Sequence, residues 1–271
     1  MVWTEETIVG RTLRCARMTG LPAGQVIELV AGVFVLVGVW QQAKGRRRAV
    51  GLCRAVVLTL FLLRHDNAQD VAGELSGCSQ ATVSRIFRRI RPLLDQVTAA
   101  RAAKVAAQVR RSATLVDGFI APTGERAARD DLFSGKHRIC GMNVQTVTDG
   151  RLVDTGTPIG GSRHDSVAFH ASGIAERWAS HLAQDGPGIL ADKGYQRSGP
   201  ITPYANPKAT TCPAFAKPAT TALNSIRAAV ERAIAHLTNW KILDIGYRGR
   251  LSEFPDVLRT VTNLEIYRIW G

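Results

Sequence analysis

The sequence has 271 residues, 45% of them hydrophobic and 21% charged, enough to bury one sizeable core with room for a small second domain, which excludes a disordered tail or a collagen-like fibre. Lys and Arg number 35 against 22 Asp and Glu, a formal charge of +13 that favours a polyanionic partner. Residues 1–112 hold 17 basic and 7 acidic side chains, so +10 of that excess sits in the N-terminal part.

Five cysteines, at 15, 53, 78, 140 and 212, include no CxxC pair. Neither a disulfide framework nor a zinc module is indicated, and a reducing interior is the natural setting. The longest apolar run, Leu29 to Trp40, has 12 residues, short of the roughly 20 that span a bilayer. It reads as a buried helix. Glu5, Glu6 and three early arginines leave no room for a secretory signal, so the expected place is the cytoplasm, associated with the nucleoid and without a membrane partner.

In chain order, apolar residues recur at helical spacing from Val26 to about Gln108, and a helix over Arg101 to Arg111 leads out of this region. The domain boundary is placed at 112/113. Strands follow at Ala113–Ile120 and His137–Thr148; Asp149-Gly150 supplies a tight turn, and Arg151–Ile159 returns antiparallel. A loop, Gly160–His164, leads to a helix over Asp165–Trp178, then to a short strand, Gly188–Ala191. After an irregular stretch, Pro200–Pro218, a helix is predicted over Thr221–Leu237. The fold class is α+β or α/β: a helical domain over residues 1–112, then a ribonuclease-H-like mixed-sheet domain over residues 113–271. Trp178, Trp240 and Trp270 read as core aromatics and His164 as a loop hydrogen-bonder.

Within the first domain, residues 67–91 have the form of a helix-turn-helix. Gly77 suits the left-handed end of the first helix, Gly73 allows close packing, and Ser79 can cap the second. On that second helix Val83, Ile86, Phe87 and Ile90 make the core face, which leaves Gln80, Ser84, Arg85 and Arg88 outward to read a groove or its phosphates. Pro92 lacks the N–H that continues a helix, so a stop or kink is expected near Arg91. Arg46, Arg47 and Arg48 add a cationic segment that either touches phosphates or is a solvated loop.

In the second domain three acids stand where a metal site needs them. Asp117 ends the first strand, Asp192 ends the fourth, and Glu231 lies on the last predicted helix beside Val230, Ile234 and Leu237. First and fourth strands are neighbours in a ribonuclease-H-like sheet, so the two strand-end carboxylates converge. Such oxygen ligands suit Mg²⁺ or Mn²⁺ and phosphoryl transfer. Asp165 suits either an N-cap or a place near this site.

Four segments, LVDGF around Asp117, GSRHDS around Asp165, LADKGY around Asp192 and RAAVERAIAHLTNWKIL around Glu231, resemble in order and wording the DDE-type transposases of bacterial insertion sequences, relatives of the PIF/Harbinger group. The helix-turn-helix also matches that family's N-terminal domain, so the resemblance covers nearly the whole chain. It implies that Asp117, Asp192 and Glu231 are the catalytic, metal-binding triad, with 38 residues between the last two, and that Arg227 is the arginine one turn before the glutamate. Where family members carry a lysine seven residues after the glutamate, this chain has Thr238; Lys241, nearly one turn on, is a substitute cation. The implied activity is Mg²⁺-dependent cleavage and strand transfer of double-stranded DNA, element ends and target, by a homodimer or larger synaptic assembly. A transposase-derived DNA-binding regulator with weakened catalysis, or a metal nuclease without strand transfer, are the alternative readings.

Overall fold

A computed structural model of the chain describes residues 12–41, 48–203 and 228–271. Among the described residues five helices precede the first strand: α1 (Thr12–Thr19), α2 (Ala23–Val37), α3 (Leu52–His65), α4 (Gln69–Ser76) and α5 (Gln80–Val109). In α3, eight residues from Ala55 to Leu63 are buried, so it is the central rod on which the others pack. The Leu29–Trp40 run is only half inside, contrary to a fully buried helix. Leu29 and Val33 face the core on α2, but Phe34, Val35 and Val39 are 57%, 80% and 76% exposed. Gly38, at φ 64°, ends that helix.

α4 and α5 are joined by a three-residue turn. Gly77 takes φ 61° and closes α4, and the Ser79 hydroxyl accepts the Thr82 N–H at 3.4 Å to start α5. A Cβ on Gly73 would lie 2.5 Å from the Cys78 carbonyl oxygen, so only glycine permits this approach. Pro92 does not stop α5: the helix runs 30 residues with the proline inside it. Pro92 is solvent-exposed, so water can satisfy the carbonyl its missing N–H leaves open, while buried Ile90, Leu94, Thr98 and Val105 on either side hold the helix to the core. The separate exit helix expected at Arg101 is the last third of α5.

The second half is a mixed sheet of six strands: β1 (Thr114–Pro122), β2 (Phe133–Ser134), β3 (Ile139–Thr148), β4 (Leu152–Thr155), β5 (Ile159–Gly160) and β6 (Ile189–Leu190). Its main path is β2-β3-β1-β6, with β4 and β5 also on β3. β1 pairs antiparallel with β3 over Leu115 to Pro122 and parallel with β6 at Thr114–Ile189 and Leu115–Leu190. This arrangement is compatible with a ribonuclease-H-like catalytic domain. The predicted return strand is split into β4 and β5: Gly156 still donates to the Gln145 carbonyl at 2.7 Å, but Thr157 turns its N–H to the Ser172 carbonyl at 2.9 Å, Pro158 has none to give, and β5 resumes one residue out of register. The helix at Asp165 is likewise shorter than its periodicity suggests. α6 (Asp165–Ala171) stops before Gly173, at φ 77°, and two four-residue helical turns follow.

A helix over residues 228–238, α7, and a final helix, α8 (Phe254–Trp270), complete the described chain. α8 packs between α5 and the sheet. Asp95 of α5 accepts from Arg259 and Asn263 of α8, each at 2.8 Å, and Thr262 of α8 bonds Thr155 of β4 at 2.9 Å. Buried residues of both halves consequently form one continuous cluster. Among the described residues no helix is long and apolar enough to cross a membrane.

Candidate active site

Strand pairing alone fixes where Asp117 and Asp192 emerge. Leu115 and Leu190 are partners across the parallel β1–β6 pair, and each aspartate follows its leucine by two residues; Asp192 lies just past β6, but Asp117, expected to end the first strand, sits inside β1, which continues to Pro122 on its pairing with β3. Each is oriented by a backbone N–H just after it in the chain. Asp117 Oδ1 accepts the Gly118 N–H at 2.8 Å, and Asp192 Oδ1 accepts the Gly194 N–H at 2.7 Å as it caps the 3₁₀ turn Lys193–Tyr195.

The register of β1 on β3 then separates two faces. Asp117 is paired with Thr146, and Thr146 with Thr155, whose hydroxyl meets Thr262 of α8; these side chains share the face that α8 covers. Gly118, paired with Gln145, belongs to the opposite face, where α6 lies.

That opposite face carries a buried polar network that sequence reasoning missed. Tyr195, fully buried, donates its hydroxyl to Gln145 Oε1 at 2.6 Å; Gln145 Nε2 donates to Asn143 Oδ1 at 2.8 Å; Asn143 Nδ2 donates to Asp165 Oδ1 at 3.1 Å. Lys136 stands 3.8 Å from Asp165 Oδ2. Asp165 is the first residue of α6, not its cap; His164 holds the cap position. Its carboxylate lies closer to β1 and the Asp192 turn than the sequence suggests. A Cβ on Gly118 would come 2.7 Å from Asp165 Oδ1, and one on Gly194 3.6 Å from Asp165 Oδ2. Burial, then the charges of Asp165, Asp117 and Asp192, push the Tyr195 phenol well above its ordinary pKa. The tyrosine is therefore a permanent donor, and all three aspartates are near enough to act on it. The alternation of Asn143 and Gln145 in an otherwise apolar strand was the signal available in the sequence.

Glu231 sits on α7, exposed, beside buried Val230 and Ala233, with Leu237 buried further along. α7 leads to Trp240, whose indole N–H donates to Glu265 of α8 at 2.9 Å, so α7 ends against the helix that covers the Asp117 face. Among the described residues no three His, Cys, Asp or Glu side chains stand close enough to hold a metal ion. The donor chemistry of Asp117 and Asp192 is nonetheless that of a hard-cation site, carboxylate oxygen without thiolate or imidazole. Lys241 is paired with Asp244 at 2.6 Å, and Thr238 bonds the Ala235 carbonyl at 3.3 Å. Arg227, like Arg46 and Arg47, lies outside the described residues.

Comparison with known proteins bears directly on these residues. A family model described as DDE superfamily endonuclease matches residues 116–264, from the residue before Asp117 in β1 to the second half of α8. The chain belongs to that family. Endonucleases of the DDE superfamily generally use divalent metal ions and act on DNA. The chain is also 26% identical, over 232 residues covering 84% of each chain, to the putative transposase for insertion sequence element IS112 of Streptomyces albus G. No solved structure matches.

Away from Asp117 and Asp192, Gln80, Arg85 and Arg88 are exposed on the first turns of α5 and Ser84 is half-buried. Gln80 donates to Gln69 of α4 at 3.0 Å and Arg88 to Ser84 at 2.7 Å. Gln80, Ser84 and Arg88 line one wall of a cleft of about 570 Å³; Tyr247, Arg248 and Arg250 line the other.

Proposed function

We propose that this DDE endonuclease is the transposase of a bacterial insertion sequence. Residues 1–112, through the helix-turn-helix at about 67–91, bind the terminal inverted repeats; residues 113–271 cut the element ends and direct the freed 3′-OH at target DNA. The observation that carries the reading is the family match laid over Asp117 and Asp192, each two residues beyond the paired leucines of the neighbouring parallel strands β1 and β6. Similarity to an insertion-sequence protein along 84% of both chains supports it.

Asp117, Asp192 and Glu231 would hold Mg²⁺ or Mn²⁺, which when bound neutralises charge on the phosphoryl group and activates the attacking oxygen. The protein's own part is positioning. The Gly118 and Gly194 N–H groups aim the two aspartates, and the Tyr195–Gln145–Asn143–Asp165 chain ties the Asp192 turn to β3 and the start of α6. Asp165 acts here as a positioning residue on the far face. Arg227, from its place in the sequence, and Lys241 are assigned to the DNA phosphates. Pairing two ends calls for a homodimer or larger assembly.

One observation favours a second reading, a transposase-derived regulator with weakened catalysis: Thr238 is no cation, and Lys241 is already engaged by Asp244. Incubation with Mg²⁺ and paired element ends separates the possibilities. Joined products support the transposase, cleavage without joining a nuclease, and binding alone the regulator. Thr238→Lys should raise the joined product severalfold if the absent cation limits the reaction.

A further inference from the structure

Trp40 is fixed by its indole N–H, which donates to the Val50 carbonyl at 2.9 Å, and the ring is buried. Two guanidinium groups lie over it, Arg48 at 4.7 Å and Arg89 at 4.8 Å from the ring centre. One cation on a tryptophan is an ordinary stabilising contact. Two on one ring bring like charges together, and a third arginine, Arg85, lines the same cavity of about 590 Å³. Ser79 and Thr82 hydroxyls and the start of α5 also face it, and among the described residues that line it none is acidic. Burial, and then the charge of Arg48, push the Arg89 guanidinium down from its usual pKa. The Arg48 side chain is held in place as well, its Nε donating to the Trp40 carbonyl at 2.7 Å.

A cavity walled by three guanidiniums without a carboxylate stores repulsion that an anion relieves. We propose that this pocket seats a backbone phosphate of duplex DNA, with Arg48, Arg85 and Arg89 as its cationic wall and the Ser79 and Thr82 hydroxyls as neutral donors. The inference rests on the DNA-binding reading above and extends it to residues, Trp40 and Arg89, outside the outward face of the second helix. Arg85 belongs to both, so the phosphate seat adjoins the reading face. Such a contact positions the helix on the duplex without reading sequence.

The test uses the full chain and a duplex of about 30 base pairs, with binding measured across a range of salt concentrations. Each lost phosphate contact should make the plot of log K against log salt shallower by about 1. Arg48→Gln and Arg89→Gln should each show that change, while Lys104→Gln, exposed on α5 roughly 22 Å further along at 1.5 Å per residue, should leave the slope at the wild-type value. Arg85→Gln, at the more exposed rim, gives the same readout should either of the others melt early. Wild-type slopes in all three arginine variants, with wild type binding DNA, would overturn the pocket and leave the DNA reading standing. Wild type without affinity for the duplex at low salt would overturn both.

Discussion

Tyr195 shows how one side chain couples stability to the site. Its hydroxyl satisfies Gln145 in a place closed to water, so Tyr195→Phe should cost about 1–3 kcal/mol in denaturant unfolding. The sign of its pH dependence follows from the raised pKa. In the unfolded chain the phenol ionises near about 10, whereas in the folded chain it holds its proton, so its contribution is full below that pH and is lost as pH rises beyond it. Alkaline destabilisation should therefore be shallower in Tyr195→Phe, as read by melts on either side of about pH 10; parallel curves for the two proteins would contradict the assignment. Asp192 was legible because it follows a short apolar strand, whereas Asp117, expected at a strand end, lies inside β1 and stood out as the acid in an apolar strand. Asp165 was ambiguous, since a helix-start aspartate looks alike whether it caps the helix or turns back to the sheet.

Among the elements, the strands were legible where their alternation was regular, and the β1–β6 adjacency agrees with the expected neighbourhood of the first strand and the strand before Asp192. α8 was not. Its Thr260, Thr262, Asn263 and Glu265 are buried with the apolar residues, so no polar face marks it as amphipathic. Glu265 is fully buried and accepts from Arg268, one turn along the same helix, and from Trp240, a donor that no local pattern could supply. Removing it leaves both stranded, and Glu265→Ala should destabilise the protein by roughly 3 kcal/mol or more, measured by chemical unfolding. A loss below about 1 kcal/mol would mean that water reaches those donors. Pro92 misled for the opposite reason: a local rule ended a helix that tertiary packing on both sides carries through. At the start of α5, Ser79→Ala should cost about 1 kcal/mol, the usual worth of a side-chain cap.

At the scale of the whole molecule, α8 is the joint. It bonds α5 through Asp95 and β4 through Thr262, and Gln25 of α2 donates to the Tyr267 carbonyl at 3.3 Å, so neither half closes its core alone. Full-length protein should unfold in one calorimetric transition despite the two-part sequence; two separated transitions would show that the halves are independent. The joint also bears on the proposed site, because α7, which holds Glu231, ends against α8 on the face that Asp117 shares. The most direct measurement is Mg²⁺-dependent cleavage of DNA bearing the element ends by wild type, Asp117→Asn and Asp192→Asn, with binding to the same DNA recorded in parallel. A carboxylate-to-amide change removes a ligand's charge and nearly keeps its shape. The account predicts cleavage by wild type, a loss of at least about a hundredfold in both variants, and little change in binding. Equal cleavage by all three, or none by wild type with Mg²⁺ or Mn²⁺, would contradict it.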